Sequence, residues 1–256
     1  MMETKYRENL MIPRGIQNVG NTCFINSREQ CMRAIEFWYR ITFPRKNNPQ
    51  FRDFRQHDVH EYHLDEVNYI EEKLKEQRRE EIFANYFKGV FTTKSKFPCG
   101  HTNIRTENFF VLSVPVGSTM EEMISSLEKE DEYMLTCDTC QNNIKIRAKS
   151  NISVSHVPHI VTFHIKRFDM YGNKLTDDID VPLSWTYIRN NQDKKFSCAG
   201  FIVHVGGNMT SGHYIALCNY NNIWYKCDDL IVKPVMPKNV LKFLSKAYLI
   251  FYVEHV

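Results

Sequence analysis

The stretch Gly15–Ser27, GIQNVGNTCFINS, decides how the rest of this chain is read. It sets one cysteine, Cys23, directly after the turn signal Gly20-Asn21-Thr22. Directly after that cysteine comes a run, Phe24 to about Phe37, that reads as a helix. A thiol in this position meets the positive end of a helix dipole and the unpaired amides of a first turn. Both favour the thiolate, which is the nucleophilic form. Asn18 lies five residues upstream, and its side-chain amide can turn back toward the same sulfur. There it would hold the oxyanion formed when a thiolate attacks a carbonyl. The competing reading is a small structural cysteine in a helix cap, since free Cys is among the most buried residue types.

A second stretch near the C-terminus bears on that choice. Gly206–Asp229 reads GGNMTSGHYIALCNYNNIWYKCDD. His213 follows a glycine, an alternating apolar run leads to Trp224, and Asp228 and Asp229 come as a pair. A base and a polar group that orients it are laid out in this way. With QHDVHEY at Gln56–Tyr62 and AYLIFY at Ala247–Tyr252, these stretches resemble the boxes of the ubiquitin-specific proteases. Those are papain-like cysteine peptidases that cleave ubiquitin from its conjugates. Each box alone is a weak signal; four in the family's order, spanning nearly the whole chain, are specific.

The resemblance implies an α+β chain with the papain-like cysteine protease fold: a helical thumb, a β-rich palm and β fingers. It implies a single catalytic domain over residues 1–256, with the thumb at about 13–85, the fingers at about 86–155 and the palm at about 156–256. Only 33 positions separate Cys23 from Gln56, so the thumb is expected to be trimmed. The implied activity is a thiol-dependent deubiquitinase, hydrolysing the (iso)peptide bond after ubiquitin's C-terminal glycine. Cys23 would be the nucleophile, His213 the base and acid, and Asp228 the orienter, with Asp229 in reserve. Asn18 and the Cys23 backbone amide would form the oxyanion hole. Gln56, Asp58 and Glu61 would lie near the catalytic centre, the two carboxylates taking arginines of ubiquitin and its tail. Phe168, Gly212 and Tyr214 would line a channel narrow enough to pass only a Gly-Gly tail. Two departures motivate the alternative of a catalytically impaired ubiquitin-binding module. Glu29 stands where the family has an apolar residue, which requires a cationic partner or a different packing. Lys96 stands where a zinc knuckle would have its first cysteine.

That knuckle concerns Cys137-Asp138-Thr139-Cys140, two thiols at a spacing that reaches one tetrahedral ion. The usual partner is a second CxxC, but here only Cys99 is present, with His101 two residues on. A structural zinc held by Cys99, His101, Cys137 and Cys140 is one reading; a decayed knuckle held by β pairing is the other. Catalysis by a Cys/His pair requires no cofactor.

The remaining sequence sets bounds. A chain of 256 residues, 43% hydrophobic and 25% charged, suits a soluble globular protein. A net charge of +3 gives no argument for nucleic acid. There is no run of 18 apolar residues, and MMETKYREN has no apolar signal core, so no membrane span and no secretory leader are expected. Eight cysteines then point to a reducing compartment, cytoplasm or nucleus. The expected partners are ubiquitin and ubiquitinated proteins, with the chain itself a monomer. Gln56–Phe83 reads as one long helix and 41–55 as loop. FKGVFTTKSKF, ENFFVLSVPV and two segments within Lys145–Ile165 read as strands, so His156, His159 and His164 are taken as strand histidines. Thr119 and Glu122 have capping-box spacing ahead of a short helix. Residues 171–200 read as polar surface loop. Strands follow at Phe201–Val205, Tyr214–Tyr220, about Ile223–Cys227 and Ala247–Val253, with a helix near Lys238–Leu244.

Overall fold

A computed structural model of the chain describes residues 13–35, 48–51, 53, 55–128, 130–140, 145–189, 192–208 and 211–255. Much of the loop expected over 41–55 and two residues of the glycine loop, 209 and 210, lie outside the described residues. Helix α1 spans Cys23–Ala34 and ends in an extended Ile35. Helices α2 (Val59–Glu76) and α3 (Glu80–Phe87) follow. The next strands are β1 (Gly89–Lys96), β2 (Thr102–Phe109) and β3 (Leu112–Pro115), and then comes helix α4 (Met120–Ser125). After it come β4 (Glu130–Thr136), β5 (Lys145–His156), β6 (Ile160–Lys166), β7 (Ser184–Arg189) and β8 (Gln192–Val205). The chain closes with β9 (His213–Tyr220), β10 (Ile223–Asp228), β11 (Ile231–Val235), α5 (Pro237–Leu244) and β12 (Ala247–Glu254).

The strands form two sheets. A four-stranded sheet has the order β2-β1-β5-β4. An eight-stranded sheet runs β11-β10-β9-β8-β12-β6-β3, with β7 paired to β8. Its strand β12 explains why AYLIFY is apolar at every position. Leu249 and Phe251 pack toward α1, α2 and α3, while Ile250 and Tyr252 pack into the opposite core with α4 and α5. A strand covered on both faces has no polar side, and all six residues from Ala247 to Tyr252 are buried. Truncating one such residue, Phe251→Ala, is expected to cost about 3–5 kcal/mol.

Three sequence expectations need correction. The helix expected over Gln56–Phe83 is two helices. The break is a Schellman closure: Arg78 adopts a left-handed φ of 58°, and the Arg78 and Arg79 amides donate to Lys75 and Leu74 carbonyls at 3.0 and 2.8 Å. Glycine usually occupies that position, so an arginine there gave no warning. Residues 171–200 are not simply surface loop. They contain the β7–β8 hairpin, in which Trp185, Tyr187, Phe196 and Cys198 are buried. The inward residues alternate with Thr186 and the exposed Ile188, a short period-two pattern hidden among polar neighbours. Strand β11, with Pro234 and the exposed Ile231, was not expected either.

Glu29 has its cation. The fully buried Arg28 guanidinium lies 2.9 Å from Glu29 and 3.8 Å from Glu66 on α2, so an ion pair occupies the α1–α2 junction. The capping box stands as read: Thr119 Oγ1 accepts from the Glu122 amide at 3.2 Å, and Glu122 Oε2 accepts from the Thr119 amide at 3.3 Å.

Candidate active site

Cys23 is the first residue of α1, and the turn before it is built by Asn18. Asn18 Oδ1 accepts from the amides of Gly20 and Thr22, both at 3.1 Å, and from the Thr22 hydroxyl at 3.2 Å. Gly20, at φ 116°, takes a backbone conformation that a side chain would disfavour. The strap ahead of the turn is tied to the end of β10. Asp229 accepts from Asn18 Nδ2 at 2.9 Å and Asn26 Nδ2 at 2.8 Å, and its carbonyl accepts from the Ile16 amide at 2.9 Å. The Asn18 amide expected to face an oxyanion is thus engaged by Asp229, at least through one of its two hydrogens.

The other half of the site lies on β9 and β10. His213 Nε2 is 2.7 Å from Asp228 Oδ1, and Lys226 Nζ is 3.0 Å from Asp228 Oδ2. The carboxylate bonded to the ring is therefore Asp228's, while Asp229 serves the Cys23 strap. Burial opposes the Asp228 charge, but His213 and Lys226 outweigh it and hold the carboxyl below its usual value. With Nε2 bonded to a carboxylate, Nδ1 is the nitrogen left for chemistry.

The two halves meet at Tyr214. Its backbone amide donates to the Cys23 sulfur, and it is the residue after His213. Three consecutive residues are anchored to three parts of the chain: the Gly212 amide donates to Gln56 Oε1, ahead of α2, at 2.9 Å, the His213 ring bonds β10, and the Tyr214 amide bonds α1. One sequence expectation fails here. Cys23 is 3% exposed, and burial raises its thiol above the ordinary value. The Tyr214 amide opposes this, the Asp229 charge adds to it, and the amides of Phe24 and Cys23 oppose it without overcoming it. The helix terminus contributes as expected but loses to desolvation, so the resting group is a thiol.

The residues proposed from sequence for substrate binding lie around this junction. Asp58 caps α2 through the His60 amide, at 2.6 Å, and accepts the Tyr248 hydroxyl. Glu61 is exposed on the first turn of α2. Tyr214 is buried, and its ring lies 4.8 Å from that of His204 and 6.1 Å from that of Tyr248. Phe168 joins the same group, 5.5 Å from His204. His204, Lys174 and Tyr248 belong to this cluster and were not singled out in the sequence. Lys174 Nζ donates to the carbonyls of His204 at 2.6 Å and Gly206 at 2.8 Å.

The knuckle residues converge as read. Cys99 and Cys137 sulfurs are 3.7 Å apart, and His101 Nδ1 lies 3.5, 3.3 and 3.6 Å from Cys99, Cys140 and Cys137. A tetrahedral zinc with ordinary bond lengths puts ligand sulfurs about 3.8 Å apart and sulfur and nitrogen about 3.5 Å apart. The donor set and its dimensions fit zinc. Burial raises the Cys137 thiol, but the Cys140 and Thr139 amides outweigh it and bring the group down to about 6. Cys140 goes the other way, pushed up to about 11 by its hydrogen bonds to Cys99 and Cys137, so one thiolate of the pair is favoured at the expense of the other.

The sequence profile of the ubiquitin carboxyl-terminal hydrolase family matches residues 40–252, a span that includes His213 and Asp228 and begins after Cys23. The chain belongs to this family. Ubiquitin carboxyl-terminal hydrolase 23 of Arabidopsis thaliana is 24% identical over 95% of the chain, and hydrolase 13 of Saccharomyces cerevisiae 26% over 81%. The chain spans roughly a third of those proteins, 36% and 33%. Among solved structures, the SAGA Ubp8/Sgf11/Sus1/Sgf73 DUB module bound to ubiquitin aldehyde aligns with a TM-score of 0.79 at 20% identity, covering 100% of this chain and 75% of that one. The module bound to monoubiquitin aligns with a TM-score of 0.78. The expected α+β, papain-like fold is thereby shown. Among the described residues, no helix is long and apolar enough to cross a membrane.

Proposed function

We propose that this chain is a thiol-dependent deubiquitinase that hydrolyses the (iso)peptide bond after the C-terminal glycine of ubiquitin. The observation that carries the reading is the junction at residues 212–214: His213, paired to Asp228 at 2.7 Å, is followed by Tyr214, whose backbone amide meets the buried Cys23 thiol. His213 removes the Cys23 proton as the sulfur attacks the carbonyl carbon. It then returns that proton to the departing amine as the C–N bond breaks. Water, deprotonated by the same ring, cleaves the resulting thioester and frees the sulfur. Asp228 keeps the ring oriented and stabilises its charged form. A raised Cys23 is a thiol at rest, so its proton leaves as the sulfur attacks rather than before.

The oxyanion is assigned to the Cys23 amide and to Asn18, whose second amide hydrogen serves this purpose. Gln56, Asp58, Glu61, Phe168, Gly212 and Tyr214 are assigned to the ubiquitin tail, the carboxylates of Asp58 and Glu61 taking its basic side chains. The helices to about residue 85 act as a thumb and the four-stranded sheet as fingers, while the eight-stranded sheet acts as a palm that begins earlier than residue 156 because it also takes β3 and α4 from the span expected for the fingers. A zinc held by Cys99, His101, Cys137 and Cys140 has a structural role only. We place the chain in cytoplasm or nucleus, working as a monomer on ubiquitinated proteins.

The test is cleavage of a ubiquitin–fluorophore amide. The wild-type chain turns it over, and Cys23→Ala and His213→Ala each lose at least about a thousandfold while keeping their melting temperature. Binding of ubiquitin without turnover by the folded wild-type chain would establish the ubiquitin-binding module instead.

A further inference from the structure

The four-stranded sheet turns one face inward and the other to solvent. Alternation along β5 separates them: Ala148 and Ser150 are buried, while Lys145, Arg147 and Lys149 are exposed. Strand register carries the outward face across the sheet. Lys94 of β1 stands opposite Ile104 of β2 and Asn151 of β5, and Lys96 stands opposite Lys149. Arg147 stands opposite Met134 of β4, and Lys145 opposite Thr136. Cations thus occupy successive rows of one face, a stripe about 20 Å long at the rise of extended strands.

Two carboxylates share this face, both on the edge strand β4: Glu132 pairs with Arg147 at 3.5 Å, and Glu130 stands opposite Asn151. Among the described residues, Lys94, Lys96, Lys145 and Lys149 form no ion pair. Five cations against two carboxylates leave the face with the +3 that is the net charge of the whole chain. The remaining charges of the chain cancel, so the excess that could steer an anion sits here. The arrangement is unfavourable to the fold itself, because Lys96 and Lys149 repel across the β1–β5 pair. Lysines often guard exposed sheet edges against pairing with other chains. These do not, since β1 and β5 are the inner strands of the order β2-β1-β5-β4.

The flanks of the stripe decide which polyanion fits. Ile104 on one side is 62% exposed and Met134 on the other 57%. Platforms for single-stranded nucleic acid stack bases on aromatic rings. These rows carry none; Tyr133, opposite the buried Ala148, belongs to the other face. Aliphatic side chains on both sides of a basic stripe suit a protein segment whose acids are interspersed with apolar residues.

We propose that the outward face of the four-stranded sheet docks an acidic, partly apolar segment of a protein partner along the stripe from Lys94 to Lys145, between Ile104 and Met134. This surface lies on a different sheet from Cys23 and His213, and the proposal stands or falls independently of the hydrolase reading.

The experiment titrates the full chain, as purified, into fluorescent probes at low and high salt. The probes are a peptide of glutamates interspersed with leucines, a peptide of glutamates alone, and single-stranded oligothymidylate. The mixed peptide is expected to bind most tightly, with polyglutamate and then oligothymidylate behind it, and binding weakens as salt rises. Lys149→Glu separates docking from stability by sign. It sets a carboxylate opposite Lys96, so the melting temperature holds or rises while affinity for the mixed peptide falls roughly tenfold. Lys94→Gln with Lys145→Gln leaves the central pair untouched and weakens the same peptide by a smaller factor. Ile104→Ser with Met134→Ser removes the preference for the mixed peptide over polyglutamate. Ubiquitin–amide cleavage is unchanged in all three. A mixed peptide that does not bind, or binds equally to Lys149→Glu and the parent, overturns the proposal. Tighter binding of oligothymidylate also overturns it, since that marks a nucleic-acid face. A matching loss of ubiquitin–amide cleavage in Lys149→Glu overturns it too, since the face then serves ubiquitin. Charge-dependent binding of the mixed peptide by a parent that cleaves no ubiquitin supports the proposal and removes the hydrolase.

Discussion

Strand β12 of the eight-stranded sheet is buried on both faces by aromatic and aliphatic side chains. In the four-stranded sheet the buried positions mix polar Ser95, Asn103 and Ser150 with apolar Phe109, Ala148 and Val154. The apolar cluster there is Phe97, Cys137 and Ala148, and Ser95 and Ser150 share a hydrogen bond of 2.7 Å. Lys96 and Lys149 stand directly opposite each other across β1 and β5, a repulsive pairing. One sheet is held by the removal of apolar surface from water. The other carries a small apolar cluster at its tip, where four side chains that could hold a metal ion converge. The site sits on the first sheet, and the difference suits a rigid catalytic floor beside an arm that can adapt to a folded partner.

The largest effect should come from breaking the apolar side of this contrast. Phe251→Ala is expected to lower unfolding free energy by about 3–5 kcal/mol in urea titrations, with all probes shifting together. A loss confined to one sheet would show that the two are not coupled as the packing requires.

Chelation should act on the other side. About one zinc per chain is expected by elemental analysis. Its removal, or Cys137→Ser, should strip hydrogen-exchange protection from β1, β2, β4 and β5. Strands β8, β9 and β12 should keep theirs, and some ubiquitin–amide cleavage should survive. A chain purified without metal and fully protected at the finger tip would favour the decayed knuckle.

Acid sharpens the comparison most gently. Burial lowers His60 and His63 and, with Lys174, lowers His204 to about 4; His164 falls to about 3 through burial and His60. All four lie on α2 or the eight-stranded sheet. The unfolded chain takes up these protons first, so the stability they contribute is complete above about pH 6.5. It is lost as pH falls toward 4. Melting temperature should be flat from pH 7 to 8 and fall steadily below 6.5. Exchange in the eight-stranded sheet should quicken first.

Much of this was legible in the chain. The place of Cys23 at the start of α1 and the pairing of His213 with Asp228 were readable because the turn and strand signals around them are strong. The convergence of Cys99, His101, Cys137 and Cys140 was readable from spacing. The β7–β8 hairpin was not, because its inward residues are few and separated by lysines and asparagines. The helix break at Arg78 was hidden because an arginine took a glycine's place. The raised Cys23 could not be read at all: helix position is written in the sequence, but desolvation depends on β9, contributed from the far end. Asn18 likewise revealed its tie to Asp229 only when both ends were folded together.

The most direct measurement is mass spectrometry of the intact and digested chain after exposure to ubiquitin carrying a C-terminal electrophile. The account predicts one ubiquitin per chain, attached at Cys23, with attachment slowed strongly in His213→Ala. Labelling at any other cysteine, or none in a folded chain that binds ubiquitin, would contradict it.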